Sequence, residues 1–271
     1  MIQMVGDEKL DKFLSDHNII VDTLDNGLTL SSNLNDDQVF LSLEQSPVVV
    51  REQPRPICVM VAGVPRSGTS CLAGVLHRLG VRMGPFINTD SEANRMGYHE
   101  HLGLVTFHSN WTGQNVREEW DPANITRLVK MDEETREAYQ DVIKESEEWV
   151  GPGSLWGFKD LRIYHFINEF VKLTRSELMV VDVIRNTEAT IASIANYPGF
   201  KGDPKKTFEA WHMMKQIALN VLTNYGAPRL VIAYEALLSN PGRQVQYIAN
   251  FLGVKMNEAA IEFIDPTLNR H

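Results

Sequence analysis

VMVAGVPRSGTSCLAGVLHRLGVRMG, from Val59 to Gly84, is the stretch from which the rest of the chain is best read. Ile57–Ala62 (ICVMVA) is apolar without a break, as in a parallel strand buried on both faces. After it come Gly63 and Gly68, then Leu72, Val75, Leu76 and Leu79 at helical spacing, and Gly80 as a stop. In a turn from strand to helix the first helical amides point outward, and the helix dipole favours an anion there. The pattern G-x-x-x-x-G-K-[ST] is met at Gly63, Gly68 and Ser70, but Thr69 stands where the lysine belongs. The cation of this loop is Arg66, three residues earlier. Ser67, Thr69 and Ser70 add hydroxyl donors. That set suits an anion shorter than a triphosphate.

Two further apolar runs resemble the first, Leu178–Ile184 (LMVVDVI) and Arg229–Glu235 (RLVIAYE). Helical patterns cover Glu133–Trp149, Ile163–Leu173, Lys205–Tyr225 and Arg243–Leu252. Thr187 is placed to cap the helix after the second run. Strands separated by long helices imply right-handed parallel crossovers. The expected fold class is therefore α/β, a central parallel sheet flanked by helices, with the ligand at the carboxyl ends of the strands. The expected division is an N-terminal extension over 1–52 and an α/β domain over 53–271. In the extension, Asp7–Ile19 reads as an acidic amphipathic helix, Asp25-Asn26-Gly27 as a turn and Gln38–Glu44 as a short strand.

The 271 residues suffice for one sizeable α/β domain. A net charge of -9 argues against nucleic acid, which needs a basic face, but not against one small anion. Cys58 and Cys71 are too few for a disulfide framework and lie in apolar segments, so buried free thiols are expected. No apolar run reaches membrane-spanning length, and the N-terminus lacks the order of a signal peptide. A cytoplasmic protein is the expectation. No His/Cys cluster has metal-site spacing. His77, His108, His165 and His212 read as packed or surface residues, and the EETREAY…KESEEW stretch as a solvated helix face.

Pro65-Arg66-Ser67-Gly68-Thr69-Ser70 resembles the loop P-[KR]-S-G-T-[TS] of the sulfotransferase superfamily, a variant of the P-loop nucleotide-triphosphatase fold. Members take their sulfuryl group from 3′-phosphoadenosine 5′-phosphosulfate (PAPS), without a metal. The resemblance implies that this loop wraps the 5′-phosphosulfate and that Arg66 contacts the oxygen that leaves with the nucleotide. The lysine of a triphosphatase would then have no γ-phosphate to hold. A second family signature, a strand-ending Arg with Ser eight residues on, matches Arg185 and Ser193 and implies a clamp on the 3′-phosphate. At about 1.5 Å per helical residue, such a Ser can face the same point as the Arg. Tyr234-Glu235 through Asn240-Pro241, with Phe251-Leu252-Gly253, resembles the family's carboxyl-terminal segment. The resemblance spans roughly Ile57 to Val254.

Alcohol acceptors gain from a general base. Gly157-Phe158-Lys159-Asp160-Leu161-Arg162 resembles the G-x-K-D-P-R of bacterial members, with Leu161 where other members carry a base histidine. The resemblance gives Lys159 to the sulfuryl oxygens. Glu92 through Glu100 resembles N-x-x-G-[YF]-x-E and gives the base role to Glu100, with Glu92, His99 and His101 as alternatives. The implied acceptor is a small molecule, lipid or carbohydrate bearing a hydroxyl or amine, held by loops at about Pro85–Asn115 and Asn196–Lys206. Two other classes compete. One is a P-loop small-molecule kinase or NTPase with a degenerate loop, using Asp182 as a Mg²⁺ ligand. The other is a non-catalytic nucleotide-binding protein.

Overall fold

A two-stranded antiparallel hairpin, β1 (Ile20–Leu24) and β2 (Gly27–Ser31), precedes the main sheet, with Leu24 opposite Gly27. The computed structural model describes residues 20–24, 27–31, 55–84, 86–87, 97–112, 121–126, 130–151, 153–265 and 267. The helix expected over 7–19, the turn residues Asp25 and Asn26 and the strand expected over 38–44 lie outside them. The main chain then runs β3 (Ile57–Ala62), α1 (Thr69–Arg78), β4 (Phe86–Ile87), β5 (Glu100–His101), α2 (Leu102–Thr112), α3 (Pro122–Ile125) and α4 (Glu133–Val150). It continues through β6 (Leu155–Phe158), α5 (Ile163–Leu173), β7 (Glu177–Ile184), α6 (Thr187–Ala195), α7 (Pro204–Asn224), β8 (Arg229–Ala233), α8 (Tyr234–Ser239), α9 (Pro241–Leu252) and α10 (Glu258–Glu262).

The sheet order is β6-β3-β7-β8, parallel throughout. Both faces are apolar, which is why β3 shows no polar alternation. Cys58, Met60 and Ala62 point into a layer built with α4, α5 and α7. Val59 and Val61 point into the opposite layer, built with α1, α8, α9 and α10. The chain leaves β3 toward β6 on one side and continues to β7 on the other. That reversal opens a crevice beyond the carboxyl ends of β3 and β7, where the loop after β3 and Arg185 after β7 must meet.

Three local expectations need correction. β6 was not read as a strand: it has four residues with Gly157 among them, too short for a period to show. The third apolar run ends as a strand at Ala233, whose partner Ile184 is the last residue of β7 in the ladder, so Tyr234 and Glu235 open a helix instead. The cap of α6 is Asn186, whose Oδ1 accepts from the Ala189 amide at 2.9 Å; Thr187 is already the first helical residue.

Three buried charged side chains, Asp182, Lys215 and Glu147, shape the core. Asp182 falls on the face of β7 that packs under α7, and Lys215 donates to its two oxygens at 3.1 and 3.4 Å. Removing one partner would leave the other uncompensated, at about 3–5 kcal/mol. Glu147 lies on the buried stripe of α4 with Tyr139, Ile143 and Val150, so this helix is not solvated throughout. Its Oε1 accepts from the Thr174 hydroxyl, the Arg175 and Ser176 amides and the Ser176 hydroxyl, which ties α4 to the start of β7. Both cysteines are free, Cys58 buried and Cys71 half-buried.

Candidate functional site

The carboxyl ends of all four sheet strands contribute to one region. After β3, the loop folds tightly on itself. The Ser67 hydroxyl and amide both donate to the Val64 carbonyl, at 2.8 and 3.2 Å, so this hydroxyl is turned into the loop. Gly68 has a φ of 100° and caps α1 without a side chain. A Cβ there would run into the Tyr234 ring, so both backbone and space require glycine. Among the described residues no side chain caps this helix, although Thr69 in its first turn is buried. A buried helix start with open amides is a site for an anion.

Arg66 also has a left-handed backbone, with a φ of 69°. Its Nε donates to Ser193 Oγ at 3.1 Å, and its guanidinium lies 5.5 Å from the Tyr197 ring centre. Arg185 Nη1 donates to the Arg66 carbonyl at 3.0 Å and its guanidinium lies 5.2 Å from the Tyr234 ring centre. The two motifs expected at opposite ends of one nucleotide are thus in direct contact. Burial pulls the Arg66 pKa below the ordinary arginine value; Tyr197, Tyr98 and Tyr234 oppose that shift and Arg185 adds to it. Burial, with Cys71 nearby, pushes the Tyr234 phenol up to about 12 against the pull of Arg185. Glu235 accepts from the Asn186 amide at 2.9 Å, fixing the turn after Arg185.

After β6, Lys159 is 5% exposed and its Nζ lies 2.5 Å from Glu100 Oε1. The same ammonium is 5.6 Å from the centre of the Tyr98 ring, and Tyr98 also bears on Arg66. Tyr98 therefore links the Lys159–Glu100 pair to the loop. Glu100 follows a sharp turn in which Gly97 and His99 both have positive φ, 83° and 50°. His99 itself packs edge-on against Phe263. His101 packs edge-on against Trp156 in the core, and Glu92 lies outside the described residues. Of the three candidate bases among the described residues, Glu100 is the one hydrogen-bonded to Lys159.

A buried chain flanks Lys159 that sequence reading missed. His108 Nδ1 is 2.7 Å from Asp160 Oδ2 and its Nε2 is 2.9 Å from the Tyr139 hydroxyl. Asp160 Oδ1 accepts from the Arg162 amide and Nε, at 3.1 and 2.8 Å, and Arg162 Nη1 donates to Ser109 Oγ at 2.6 Å. Burial alone would raise the Asp160 carboxyl; Arg162 and the His108 hydrogen bond outweigh it and hold the group below the usual range. An ionised Asp160 places the proton on His108 Nδ1, leaving Nε2 to accept from Tyr139. The Asp-x-Arg spacing was the available signal. Asp182, the Mg²⁺ ligand of a kinase reading, is 3% exposed and held by Lys215. Among the described residues no group of three His, Cys, Asp or Glu could hold a metal ion. Nor is any helix there long and apolar enough to cross a membrane.

His101 gives the region an acid limit. Its ring nitrogens have no hydrogen-bond partner among the described residues, and burial pulls its pKa from 6.5 down to about 4. The unfolded chain then binds the proton first as pH falls. Stability is complete above about pH 6.5 and declines toward pH 4. Denaturant unfolding at pH 7 and pH 5 is expected to differ by about 2 kcal/mol more in the wild type than in His101→Phe. An equal difference would place the loss elsewhere.

An uncapped helix start after β3 of a parallel sheet, with two arginines and a Lys–Glu pair around it, is the candidate site. The chain belongs to the sulfotransferase family, whose model matches residues 56–258. No curated protein matches. Among solved structures it is similar to the sulfotransferase domain of the Synechococcus PCC 7002 olefin synthase, with 20% identity, 82% of each chain covered and a TM-score of 0.48. It is also similar to a sulfotransferase domain from the curacin biosynthetic pathway, with 15% identity, 78% of each chain covered and a TM-score of 0.50. A sulfotransferase from Mycobacterium tuberculosis H37Rv matches at 14% identity, with 80% of this chain and 72% of that one covered and a TM-score of 0.40.

Proposed function

We propose that the protein transfers a sulfuryl group from PAPS to a hydroxyl or amine of a small-molecule, lipid or carbohydrate acceptor. The observation that carries this reading is the uncapped, partly buried start of α1, with Arg66 beside it in contact with both Ser193 and Arg185. The residues fit the donor: the amides of Gly68, Thr69 and Ser70 face its 5′-phosphosulfate, and Arg185 and Ser193 its 3′-phosphate. PAPS supplies the activated sulfuryl, whose bond to phosphate breaks as the acceptor's bond to sulfur forms. Arg66 and Lys159 offset negative charge on the oxygens around sulfur. Glu100 accepts the acceptor's proton, and Lys159, 2.5 Å away, holds that carboxylate in place.

Adenosine 3′,5′-bisphosphate (PAP), the leaving nucleotide, is the simplest probe. At a hundredfold excess over its Kd, and with divalent metals chelated, PAP is expected to raise the Tm by on the order of 5 °C. Stabilisation by Mg·ATP alone would favour the kinase class instead. PAP binding without sulfate transfer to a broad acceptor panel would favour a non-catalytic protein.

A further inference from the structure

We propose that Tyr164 is a positioning residue of the transfer site, whose hydroxyl sets the phosphosulfate loop against the segment that carries Lys159. The proposal rests on the functional reading above. Gly63 lies beyond both ladders of β3: one residue past Ala62, which ends the pairing with β7 opposite Asp182, and three past Met60, which ends the pairing with β6 opposite Phe158. Its amide and carbonyl therefore leave the sheet while still buried. The Tyr164 hydroxyl takes over both: it accepts from the Gly63 amide at 2.9 Å and donates to the Gly63 carbonyl at 2.7 Å. Tyr164 is 1% exposed, and burial holds its phenol well above the ordinary tyrosine range, so the donated proton stays on the oxygen.

What happens at Gly63 reaches the far end of the loop directly. A Cβ on Gly63 would lie 2.5 Å from Thr69 Cγ2 and 2.8 Å from Ser67 Oγ, so the loop closes back onto this glycine. Thr69 opens the helix whose amides face the anion. At the other end, Tyr164 sits in the first turn of α5, five residues after Lys159. Its amide donates to the Leu161 carbonyl at 3.2 Å, and Asp160 holds Arg162 within the same segment. One hydroxyl thus joins the two parts that must grip the same phosphosulfate, across a separation of 101 residues.

Tyr164→Phe keeps the ring and removes both hydrogen bonds. The expected result is a folded protein whose Kd for PAP rises about tenfold. Trp211 packs edge-on against Tyr164 at 6.3 Å between ring centres without touching the loop's hydrogen bonds. Trp211→Phe is therefore the control: a lower Tm with an unchanged PAP Kd. A folded Tyr164→Phe that binds PAP within about twofold of the wild type would overturn the proposal. A wild-type protein indifferent to PAP would instead remove the functional reading, and this proposal with it. Hydrogen exchange on the ligand-free wild type covers the case in which Tyr164→Phe does not fold. The Gly63 amide is expected to exchange as slowly as those of β3, and fast exchange there would overturn the proposal as well.

Discussion

Glu100→Gln is expected to lower turnover with PAPS by about 10²–10⁴-fold and to leave PAP affinity unchanged. The amide has the shape of the carboxylate and can still accept from Lys159 Nζ, now 2.5 Å from Oε1, so the pair's geometry survives. What it loses is the capacity to take a proton from the acceptor. The two alternative bases among the described residues are committed to packing, His99 against Phe263 and His101 against Trp156. Turnover within a few-fold of the wild type, with PAP still bound, would move the base role away from Glu100.

Arg185→Ala is expected to weaken PAP binding by about a hundredfold, the worth of a charge-assisted contact to a phosphate. Adenosine 5′-phosphate lacks the 3′-phosphate and should lose little. That contrast matters because Arg185 has a second contact, its Nη1 on the Arg66 carbonyl at 3.0 Å. If Arg185 served only to brace the loop, both nucleotides would lose affinity equally. Arg185→Lys keeps the charge but not the planar fork, and its PAP affinity is expected to fall between wild type and Ala. Calorimetric titration of the two nucleotides against the three proteins settles which role dominates.

The fold class was legible because its decisive signals are local. Ile57–Ala62, the two glycines and the helical spacing after them lie within some twenty residues, and the apolar runs of β7 and β8 repeat the first. The parts that escaped reading depend on tertiary partners. Asp182 looked available for a cation until Lys215, 33 residues away, was found against it. Glu147 looked like one more surface glutamate of an acidic helix until Thr174, Arg175 and Ser176 were found around one of its oxygens. Tyr164 carried no motif, because its role is defined by a glycine peptide 101 residues upstream. Arg66, Ser193, Arg185, Glu100 and Lys159 were singled out by the resemblance of their motifs to those of the family, but a motif says nothing of contact. The topology supplies that, by bringing the carboxyl ends of β6, β3 and β7 side by side.

A crystal structure of the protein with PAP tests the central claim most directly. The account predicts the 5′-phosphate on the amides of Gly68, Thr69 and Ser70 and the 3′-phosphate between Arg185 and Ser193. PAP bound at any other surface, with the start of α1 left to solvent, would contradict it.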